Sequence, residues 1–504
     1  MYFETLKGIL RDDRRLQILL LASLLVQIIL CWTAVGIYHP DQYFQIIEFS
    51  SWQLHRPSAA GQVWEFAAHL RPTLQVYLFS GYSWLCSELG MHDPYSQLGL
   101  LRMIFGLLLF VLFNAMALYY FQRDRRVLFG VLLILNFSWL LPYTRTLFSS
   151  EMLSSFLFFG GVFGYDLSNR KDGRGWWVAL ATGFVFSLAF YARFQTAFAI
   201  AGFGVWMLTV REERRRMLPL ALGFIAGMGL NTVLDAAFYH EWVFTPYTYY
   251  EVNIVEGKAA SMGTSSFLLY VGVLAAVIVT PPLSLVLLYG GFKEAIVRQL
   301  RQPLTLAVLF FILGHCLVAH KEERFLFPVL NVLPLIVGWG LPGLIDWWWR
   351  QRKGMRRLFN GLALFSIGLN GFLLVVLLYT PYSQALYFTV LLKGKFADRP
   401  VTIWTVNRTP FETEHRLPFV FYREAATNLR FRRLGPEDSL RLMPREAEYV
   451  AGTYDQLKGQ LRWLDSLGYR RVLYSSRLLW GIDAILDSKG INTINDIWVL
   501  YRKR

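Results

Sequence analysis

Long apolar runs alternate with short polar segments along most of the chain. A helix needs about 20 apolar residues to cross a bilayer, and eleven runs come close to that length. We predict spans over residues 16–36, 101–121, 127–142, 150–166, 176–191, 194–210, 217–238, 266–290, 303–319, 325–348 and 357–379. The first run follows RDDRR without a small-residue cleavage signal, so we predict a retained helix rather than a signal peptide. The pattern predicts a mainly α-helical, polytopic membrane protein.

Four of these runs are short for a straight span. They form the pairs 127–142/150–166 and 176–191/194–210, which we expect to be tilted, broken or partly re-entrant. The longest polar stretch before residue 380 is the loop 37–100, which follows the first run. Loops of this length are usually functional, so we expect the chemistry of the protein to involve this loop.

The residues after about 400 follow a different pattern. A helical segment, TYDQLKGQLRWLDSLG, lies among short β-like runs. These runs are RPVTIWTV, LPFVFYR, EYVAG, YRRVLYSS and DIWVLYRK. We therefore predict two domains, a transmembrane catalytic domain over 1–380 and a small extracytoplasmic α/β domain over 381–504. The second domain has 20 Lys and Arg against 13 Asp and Glu. This basic surface suits an anionic lipid or glycan, or is simply a solvated face.

Composition supports the membrane assignment. Of the 504 residues 55% are hydrophobic and 17% are charged, and the mean hydropathy is +0.37. Soluble domains usually contain about 25% charged residues. The three cysteines, Cys31, Cys86 and Cys316, have neither the spacing of a disulfide framework nor that of a metal site.

The net charge of +15 is explained largely by topology. Six segments on one side of the predicted spans carry 22 Lys and Arg, whereas the opposite side carries seven before the last span ends. Cytoplasmic loops are the ones enriched in Lys and Arg, so the N-terminus is predicted to be cytoplasmic and residues 400–504 extracytoplasmic. Nucleic-acid binding is not needed to explain the charge, and we predict no nucleic-acid partner.

The segment YHPDQYFQIIE places acids where the first span ends. Pro40 suits the first turn of a helix, and Asp41, Gln45 and Glu48 are spaced to share one helical face. We predict an interfacial helix that presents a stripe of carboxylates, one of them a general base. The alternative is that Asp41 only complements the helix N-terminus.

Other polar residues lie on the same side of the membrane. GQVWEFAAHLRP contains Glu65 and His69 four residues apart, which suits a hydrogen-bonded pair, sugar contacts or part of a metal site. Because no third ligand has a diagnostic spacing, we predict no metal. PYTRTLFSSE and YARFQTAF place Arg145 and Arg193 between apolar runs, where a charge is either functional or a snorkelling side chain.

The densest polar cluster is AHKEERFLFPV. Five consecutive polar residues, from His320 to Arg324, stand between two apolar runs. A simple turn needs fewer polar residues, so we predict a site. Lys321 and Arg324 are suited to phosphate, and Glu322 or Glu323 would orient them.

Together these segments resemble the motifs of a known family. HPDQYFQIIE, VWEFAAHLRP, TRTLFSSE, FYHEWVFTPYTYYEVN and HKEERFLFPV are similar, in order, to motifs of the family 22 glycosyltransferases. These are α-mannosyltransferases of GPI-anchor and N-glycan assembly within the GT-C superfamily. The resemblance covers residues from about 15 to 380.

The resemblance implies a GT-C fold with about 11 transmembrane helices and a long first extracytoplasmic loop. It also implies transfer of a hexose, expected to be mannose, from a polyprenyl-phosphate donor to a glycan or glycolipid acceptor. The reaction would take place with inversion on the extracytoplasmic side, in contact with membrane lipid and without a cofactor or metal.

The resemblance also implies roles for individual residues. Asp41 corresponds to the base of the family. Glu48 and Glu65 would hold a sugar, with Trp64 and Trp242 stacking on it, although tryptophan is enriched at membrane interfaces in any case. The predicted phosphate ligands are Lys321, Arg324 and His320, supported by Glu322, with Arg193 and Arg145 as weaker candidates.

Two other functions are alternatives. A transporter or flippase of lipid-linked sugars would also need many spans and buried charges, but we find no internal repeat of the kind such folds show. A GT-C transferase that modifies lipid A or protein would share the acid near the first span but not the HKEERF turn. Because no eukaryotic targeting signal is present, the expected location is a bacterial inner membrane, with the endoplasmic reticulum membrane as the alternative.

Overall fold

The structure is a computed structural model and describes residues 13–168, 175–434, 447–490 and 496–504. The chain divides into two compact units. The first, which we call the membrane unit, contains Met1–Thr33, Ala68–Tyr77 and Leu101–Thr380. The second, the loop–sheet unit, contains Ala34–Ala67, Leu78–Leu100 and Pro381–Arg504. Two helices, Leu74–Glu88 and Pro94–Phe121, have residues in both units. Most of the basic segments KGILRDDRR and SNRKDGRG lies outside the described residues.

Five helices of the described chain are long and apolar enough to cross a membrane. They are Arg14–Thr33, Pro94–Phe121, Gly175–Ala192, Arg214–Tyr239 and Lys353–Leu378. A bent pair, Glu323–Leu330 and Leu333–Arg350, adds a sixth if it is counted as one span. Other helices in the predicted spans are Arg125–Phe137, Ser150–Leu167, Ala197–Thr209, Leu268–Val277, Leu283–Val297 and Pro303–Leu317. Apolar helices thus occur in every predicted span, while a total of eleven crossings stays a prediction.

Two predicted spans are not continuous helices. The run 266–290 is divided into Leu268–Val277 and Leu283–Val297, and Pro281 and Pro282 lie between them. The run 325–348 bends by 63° between Glu323–Leu330 and Leu333–Arg350. The second of these helices begins with a proline in its first turn. Proline lacks the backbone N–H that would continue a helix, so each of these two predicted spans consists of two helical segments.

Short elements connect the helices of the membrane unit. The α-helical turns are Leu141–Thr144, Thr245–Tyr250, Lys258–Ser261 and Phe327–Leu330. The 3₁₀ turns are Phe194–Thr196, Arg214–Arg216 and Glu323–Leu326, and Glu251–Val255 is a π-helical turn.

Glycines permit the closest helix packing in the membrane unit. Gly183 of the helix Gly175–Ala192 lies against the backbone of Leu220, and Gly223 of the helix Met217–Tyr239 lies against that of Leu180. A methyl group at either glycine would overlap a carbonyl oxygen of the facing helix. Small residues at such crossings let apolar helices approach closely inside a membrane.

The loop–sheet unit begins with short helical turns in the first loop. They are Pro40–Gln42, the π-helical turn Tyr43–Glu48, Phe49–Gln53, the 3₁₀ turn Ala60–Gln62 and Trp64–Ala67. Its C-terminal part contains the helices Gln384–Lys395, Val420–Arg423, Tyr454–Leu457, Leu461–Ser466 and Arg477–Ser488, and the 3₁₀ turn Lys458–Gln460.

The C-terminal part contains a mixed five-stranded sheet. The strands are β1 (Val401–Val406), β2 (Leu429–Leu434), β3 (Tyr449–Thr453), β4 (Tyr469–Tyr474) and β5 (Trp498–Lys503), in the order β2-β1-β3-β5-β4. β1 pairs in parallel with β2 and β3, whereas β5 pairs antiparallel with β3 and β4. Val450, Val499, Leu464 and Trp480 belong to its buried core.

Four of the five predicted β-runs contain strands, and one does not. LPFVFYR forms the helical turn Val420–Arg423, in which Val420, Phe421 and Tyr422 are all buried. A short continuous apolar run cannot be assigned to a strand or to a helix by its periodicity alone, and the β prediction was wrong there. The strand β2, with the sequence LRFRRL, was not predicted because its three arginines obscure the apolar signal. The predicted division at residue 380 stays a prediction, since the loop–sheet unit also takes in parts of the first loop.

Candidate active site

The segment His39–Asp41 presents a carboxylate at a helix N-terminus. Pro40 occupies the first turn, and the His39 ring accepts a hydrogen bond from the backbone N–H of Asp41 through Nδ1 at 3.2 Å. The same nitrogen lies 3.7 Å from Asp41 Oδ1. The Asp41 side chain is 34% exposed, so it is partly accessible to solvent.

Glu48 has the opposite environment, because its side chain is fully buried. Its carboxylate accepts hydrogen bonds from the Tyr43 hydroxyl, from the Ala59 N–H at 2.7 Å and from the Phe421 N–H at 3.2 Å. Phe421 N–H also donates to the Tyr43 hydroxyl oxygen at 3.0 Å. Within the loop–sheet unit this carboxylate therefore ties the first loop to the C-terminal part.

The predicted stripe of carboxylates was wrong. Residues Tyr43–Glu48 form a π-helical turn, with bonds that span five residues rather than four. The spacing from Asp41 to Glu48 then no longer defines a common face, and Gln45 and Glu48 are both buried. Asp41 alone of these three polar residues is substantially exposed.

Glu65 and His69 do not form the predicted pair. Glu65 is buried and accepts a hydrogen bond from Gln45 Nε2 at 2.7 Å. The helix Trp64–Ala67 ends before His69, whose positive φ of 47° breaks the four-residue spacing. The His69 ring lies 2.5 Å from Glu241 Oε1 instead.

The HKEER turn joins two other segments of the membrane unit in a network that we call the ionic chain. It consists of His320, Glu322, Arg324, Glu151 and Arg193. His320 Nε2 lies 2.9 Å from Glu322 Oε1, and Arg324 Nε donates to Glu322 Oε2 at 2.5 Å. Glu151 Oε1 accepts from Arg193 at 2.6 Å and lies 3.5 Å from Arg324 Nη1. Acids and bases alternate along the chain, which fixes both guanidinium groups.

An aromatic ring and a hydroxyl help to fix the same guanidinium groups. The Phe325 ring lies 4.7 Å from the Arg193 guanidinium carbon and 5.5 Å from that of Arg324. Arg193 also donates to the Ser150 hydroxyl at 3.3 Å. Cation–π contacts add to ion pairing when the cation is desolvated, and both arginines are buried here. The structure thus brings together Arg193, His320, Glu322 and Arg324 of the predicted site.

Lys321 is the cation of this turn with no acidic partner among the described residues. Its side chain is buried, and its ammonium donates to the carbonyl oxygen of Val318. A carbonyl group does not neutralise the charge of an ammonium group. Lys321 therefore keeps a net positive charge to offer to an anion.

Arg145 does not join the ionic chain. It is fully buried and donates to Asn136 Oδ1 at 2.9 Å and to the Leu135 carbonyl at 2.6 Å. These acceptors lie at the end of the helix Arg125–Phe137, where carbonyl groups lack helical partners. The structure thus gives Arg145 a helix-capping role. Trp242 is 80% exposed, and its predicted contact with a sugar stays a prediction.

Sequence reasoning missed Asp235, which lies inside a predicted span. Asp235 is fully buried and accepts hydrogen bonds from the Thr73 N–H at 2.8 Å and the Thr73 hydroxyl at 2.7 Å. Its other oxygen accepts from the Thr245 hydroxyl at 2.6 Å. It holds together the segments LRPT and FTP, two of the motifs noted in the sequence. Asp235 could have been identified from the sequence because it is an acid in the apolar run LNTVLDAAFY, and a buried charge in a membrane helix is costly.

Residues 18–410, more than three-quarters of the chain, match the model of the Alg9-like mannosyltransferase family. The chain belongs to this family. The resemblance seen in the motifs is thereby confirmed, and both the HPD segment and the HKEER turn lie within the matched residues.

Mannosyltransferases from other organisms are similar in sequence to this chain over part of their length. GPI mannosyltransferase 3 of Candida albicans is 28% identical over 166 residues, which is 33% of this chain and 32% of that protein. GPI alpha-1,2-mannosyltransferase 3 of Homo sapiens is 24% identical over 338 residues, which is 65% of this chain and 58% of that protein. The chain thus matches about a quarter to three-fifths of the length of such relatives.

A solved structure has the same fold. ArnT from Cupriavidus metallidurans, bound to undecaprenyl phosphate, superposes with a TM-score of 0.53 at 13% identity. The superposition covers 96% of this chain and 97% of that one. The chain therefore shares the fold of that protein, and its own structure is mainly helical with several long apolar helices.

Proposed function

We propose that the protein is a membrane mannosyltransferase that uses a polyprenyl-phosphate-linked mannose as donor. The acceptor is a hydroxyl group of a glycan or glycolipid on the extracytoplasmic side. The observation that supports this most directly is the HKEER turn, where an ionic chain fixes two guanidinium groups beside an unneutralised lysine. The names of the relatives, which specify GPI mannosyltransferases, support mannose as the sugar.

The reaction is a single displacement with inversion at the anomeric carbon. The acceptor oxygen forms a bond to this carbon while the bond between the carbon and the phosphate oxygen breaks. The leaving polyprenyl phosphate takes the electron pair, and the hydroxyl proton passes to Asp41. Asp41 suits this role because it is a carboxylate within reach of solvent, and a positioned base typically contributes about 10²–10⁴-fold to the rate.

The leaving group requires positive charge. In the ionic chain two arginines are balanced by two glutamates, so their main contribution is a fixed array of N–H donors. Lys321 supplies the net positive charge. Preorganised donors and cations that face developing charge usually contribute more to the rate than any other feature of an active site. We therefore assign the phosphate to Lys321 first, then to Arg324, Arg193 and His320, and we give Glu322 an orienting role.

The buried acids have supporting roles in this proposal. Glu48 fixes Phe421, and Glu65 fixes Gln45, so both shape the first loop rather than bind a sugar directly. Trp242 keeps its role as a sugar-stacking residue because its indole is available on the surface.

The membrane that houses the protein stays a prediction. The bacterial inner membrane was expected, with the endoplasmic reticulum membrane as the alternative. The relatives named above are eukaryotic proteins, so both locations are retained.

The proposal is tested by mannosyl transfer with purified protein. The full chain in detergent is incubated with polyprenyl-phosphate [³H]mannose and a lipid extract from the source membrane, and labelled products are separated from the donor. We expect a labelled glycan or glycolipid together with release of polyprenyl phosphate. Release of free mannose only, or transport of intact donor across proteoliposomes without any new glycosidic bond, would contradict the proposal.

A further inference from the structure

A cavity of about 450 Å³, lined by both polar and apolar side chains, lies within the loop–sheet unit. The first loop supplies Ser51, Arg56 and Ser87, and Gln97 follows in the next helix. The C-terminal part supplies a second wall, which consists of Phe421, Glu424 and Ala425. None of these residues has a role in the proposed transfer chemistry.

The Arg56 side of the cavity is held rigidly. Arg56 donates to the hydroxyls of Ser83 at 2.9 Å and Ser87 at 3.0 Å. Ser83 donates in turn to Gln97 Oε1 at 3.0 Å, and Gln97 Nε2 donates to the Met91 carbonyl at 2.7 Å. A guanidinium group has five N–H donors, of which these bonds use two. No carboxylate pairs with Arg56 among the residues described in the structure, so donors remain for a ligand.

The wall that contains Phe421 is held in place by the buried carboxylate of Glu48. The Phe421 backbone N–H is held by Glu48 and Tyr43, as described above, and the Phe421 ring packs edge-on against Phe79 at 5.9 Å between centroids. Glu424 is only three residues further on and is exposed; its Oε1 lies 3.9 Å from Arg423 Nη2, and the carboxylate has further lone pairs to accept hydrogen bonds. The buried Glu48 thus fixes the position of one wall of the cavity through its hydrogen bond to Phe421.

This combination of groups matches the chemistry of a sugar. A pyranose presents hydroxyls that both donate and accept, so it requires side chains of both kinds close together. Arg56 donates and Glu424 accepts, while Ser87 and Gln97 are already hydrogen-bonded and hold Arg56 in place. The volume lies in the range of small-molecule sites and suits one or two sugar rings.

We propose that this cavity binds a pyranose ring of the glycan acceptor. The identity of the bound glycan as an acceptor rests on the proposed function. The proposal gives the C-terminal part a direct role in acceptor recognition, which its sequence alone did not indicate.

Binding is tested by saturation-transfer NMR on the full chain in detergent, with methyl α-D-mannopyranoside and α-mannobiose as probes. Ala425→Trp fills the cavity without removing a polar group, and Thr427→Trp, on the exposed surface outside the cavity, is its matched control. We expect saturation transfer to both probes in the parent and in Thr427→Trp, and its loss in Ala425→Trp. Arg56→Gln is the second variant. If Ala425→Trp does not fold, loss of saturation transfer in Arg56→Gln tests the same prediction.

Several results would overturn the assignment. They are the absence of saturation transfer in the parent, equal signals in Ala425→Trp and Thr427→Trp, or binding of inorganic phosphate without either glycoside. In the transfer assay, Arg56→Gln should raise the KM for the acceptor about tenfold or more and leave the KM for the donor unchanged. If the parent transfers no mannose at all, the proposed function fails, but the NMR experiment still decides whether the cavity binds a sugar.

Discussion

At the scale of single residues, two acids seven positions apart have opposite environments. Asp41 is partly exposed beside His39, whereas Glu48 is buried and accepts hydrogen bonds from three donors. A buried carboxylate whose lone pairs are already used is poorly placed to take a proton from a substrate. An exposed carboxylate at a helix N-terminus has room for one, so the chemistry is assigned to Asp41.

Replacement of Asp41 tests this assignment. Asp41→Asn keeps the shape of the side chain but removes its basicity, so kcat should fall by about 10²–10⁴-fold. The KM for the donor should change little, because the phosphate is assigned to other residues. The two readouts are turnover in detergent and the thermal midpoint of the purified variant. If Asp41 serves only the helix N-terminus, worth about 0.3–1 kcal/mol, the variant will be active and slightly less stable.

Lys321 is the sharpest probe of the phosphate site. Lys321→Met keeps most of the apolar stem and leaves every bond of the ionic chain intact, so loss of charge is its main effect. We expect kcat/KM for the donor to fall about 100-fold, which corresponds to about 2.7 kcal/mol of transition-state stabilisation.

Lys353→Met is the matched control, since Lys353 is exposed in the basic segment RQRKGMRR. It should leave donor kinetics unchanged. If the two methionine variants have equal kcat/KM for the donor, Lys321 does not contact the phosphate. Arg324 is less informative, because its removal would also leave Glu151 and Glu322 partly unpaired in a buried setting.

At the scale of elements, the positions of the helices could be predicted from the sequence, but the breaks within them could not. Apolar runs identify membrane helices because an unpaired charge in hydrocarbon is costly. The breaks at Pro281–Pro282 and before Leu333 depend on prolines whose effect varies with the surroundings. The burial of Glu48 could not be predicted from the sequence either, because one of its hydrogen-bond donors, the Phe421 N–H, is 373 residues away in the chain.

The glycine contact between the helices Gly175–Ala192 and Met217–Tyr239 gives a test at this scale. Gly223→Leu places a side chain where the Leu180 carbonyl now lies. Overpacking of this kind typically costs about 1–3 kcal/mol, and here the obstacle is backbone. We expect a lower thermal midpoint and a lower yield of monodisperse protein, measured by fluorescence-detected size-exclusion chromatography after heating.

Gly229→Leu is the control on the same helix. A side chain at Gly229 meets no atom within 4 Å, so this variant should behave like the parent. Equal midpoints for the two leucine variants would show that the helices do not pack through Gly223.

At the scale of the whole molecule, the motifs predicted the family and the general fold but not the contents of the loop–sheet unit. The HPD segment and the HKEER turn stand out because charges are rare in apolar sequence. In the C-terminal part charged and apolar residues are mixed, so no single motif stands out. Its contribution to a cavity depends on contacts with the first loop, which a local sequence pattern does not reveal. Its position outside the cytoplasm is, in contrast, predicted by the distribution of Lys and Arg over the loops.

The last prediction concerns that position. An odd number of crossings with a cytoplasmic N-terminus predicts that residues 400–504 lie outside the cytoplasm, and an acceptor cavity lined by Phe421, Glu424 and Ala425 requires this placement. A single cysteine at the exposed Ser466 would report it, in a chain whose partly exposed Cys316 is replaced by serine while the buried Cys31 and Cys86 remain. In intact spheroplasts of a bacterial host, a membrane-impermeant maleimide should label Ser466→Cys. It should label Arg352→Cys, in the predicted cytoplasmic loop, only after permeabilisation. The reverse pattern would invert the topology, and it would place the acceptor cavity on the side of the membrane where the proposed reaction does not occur.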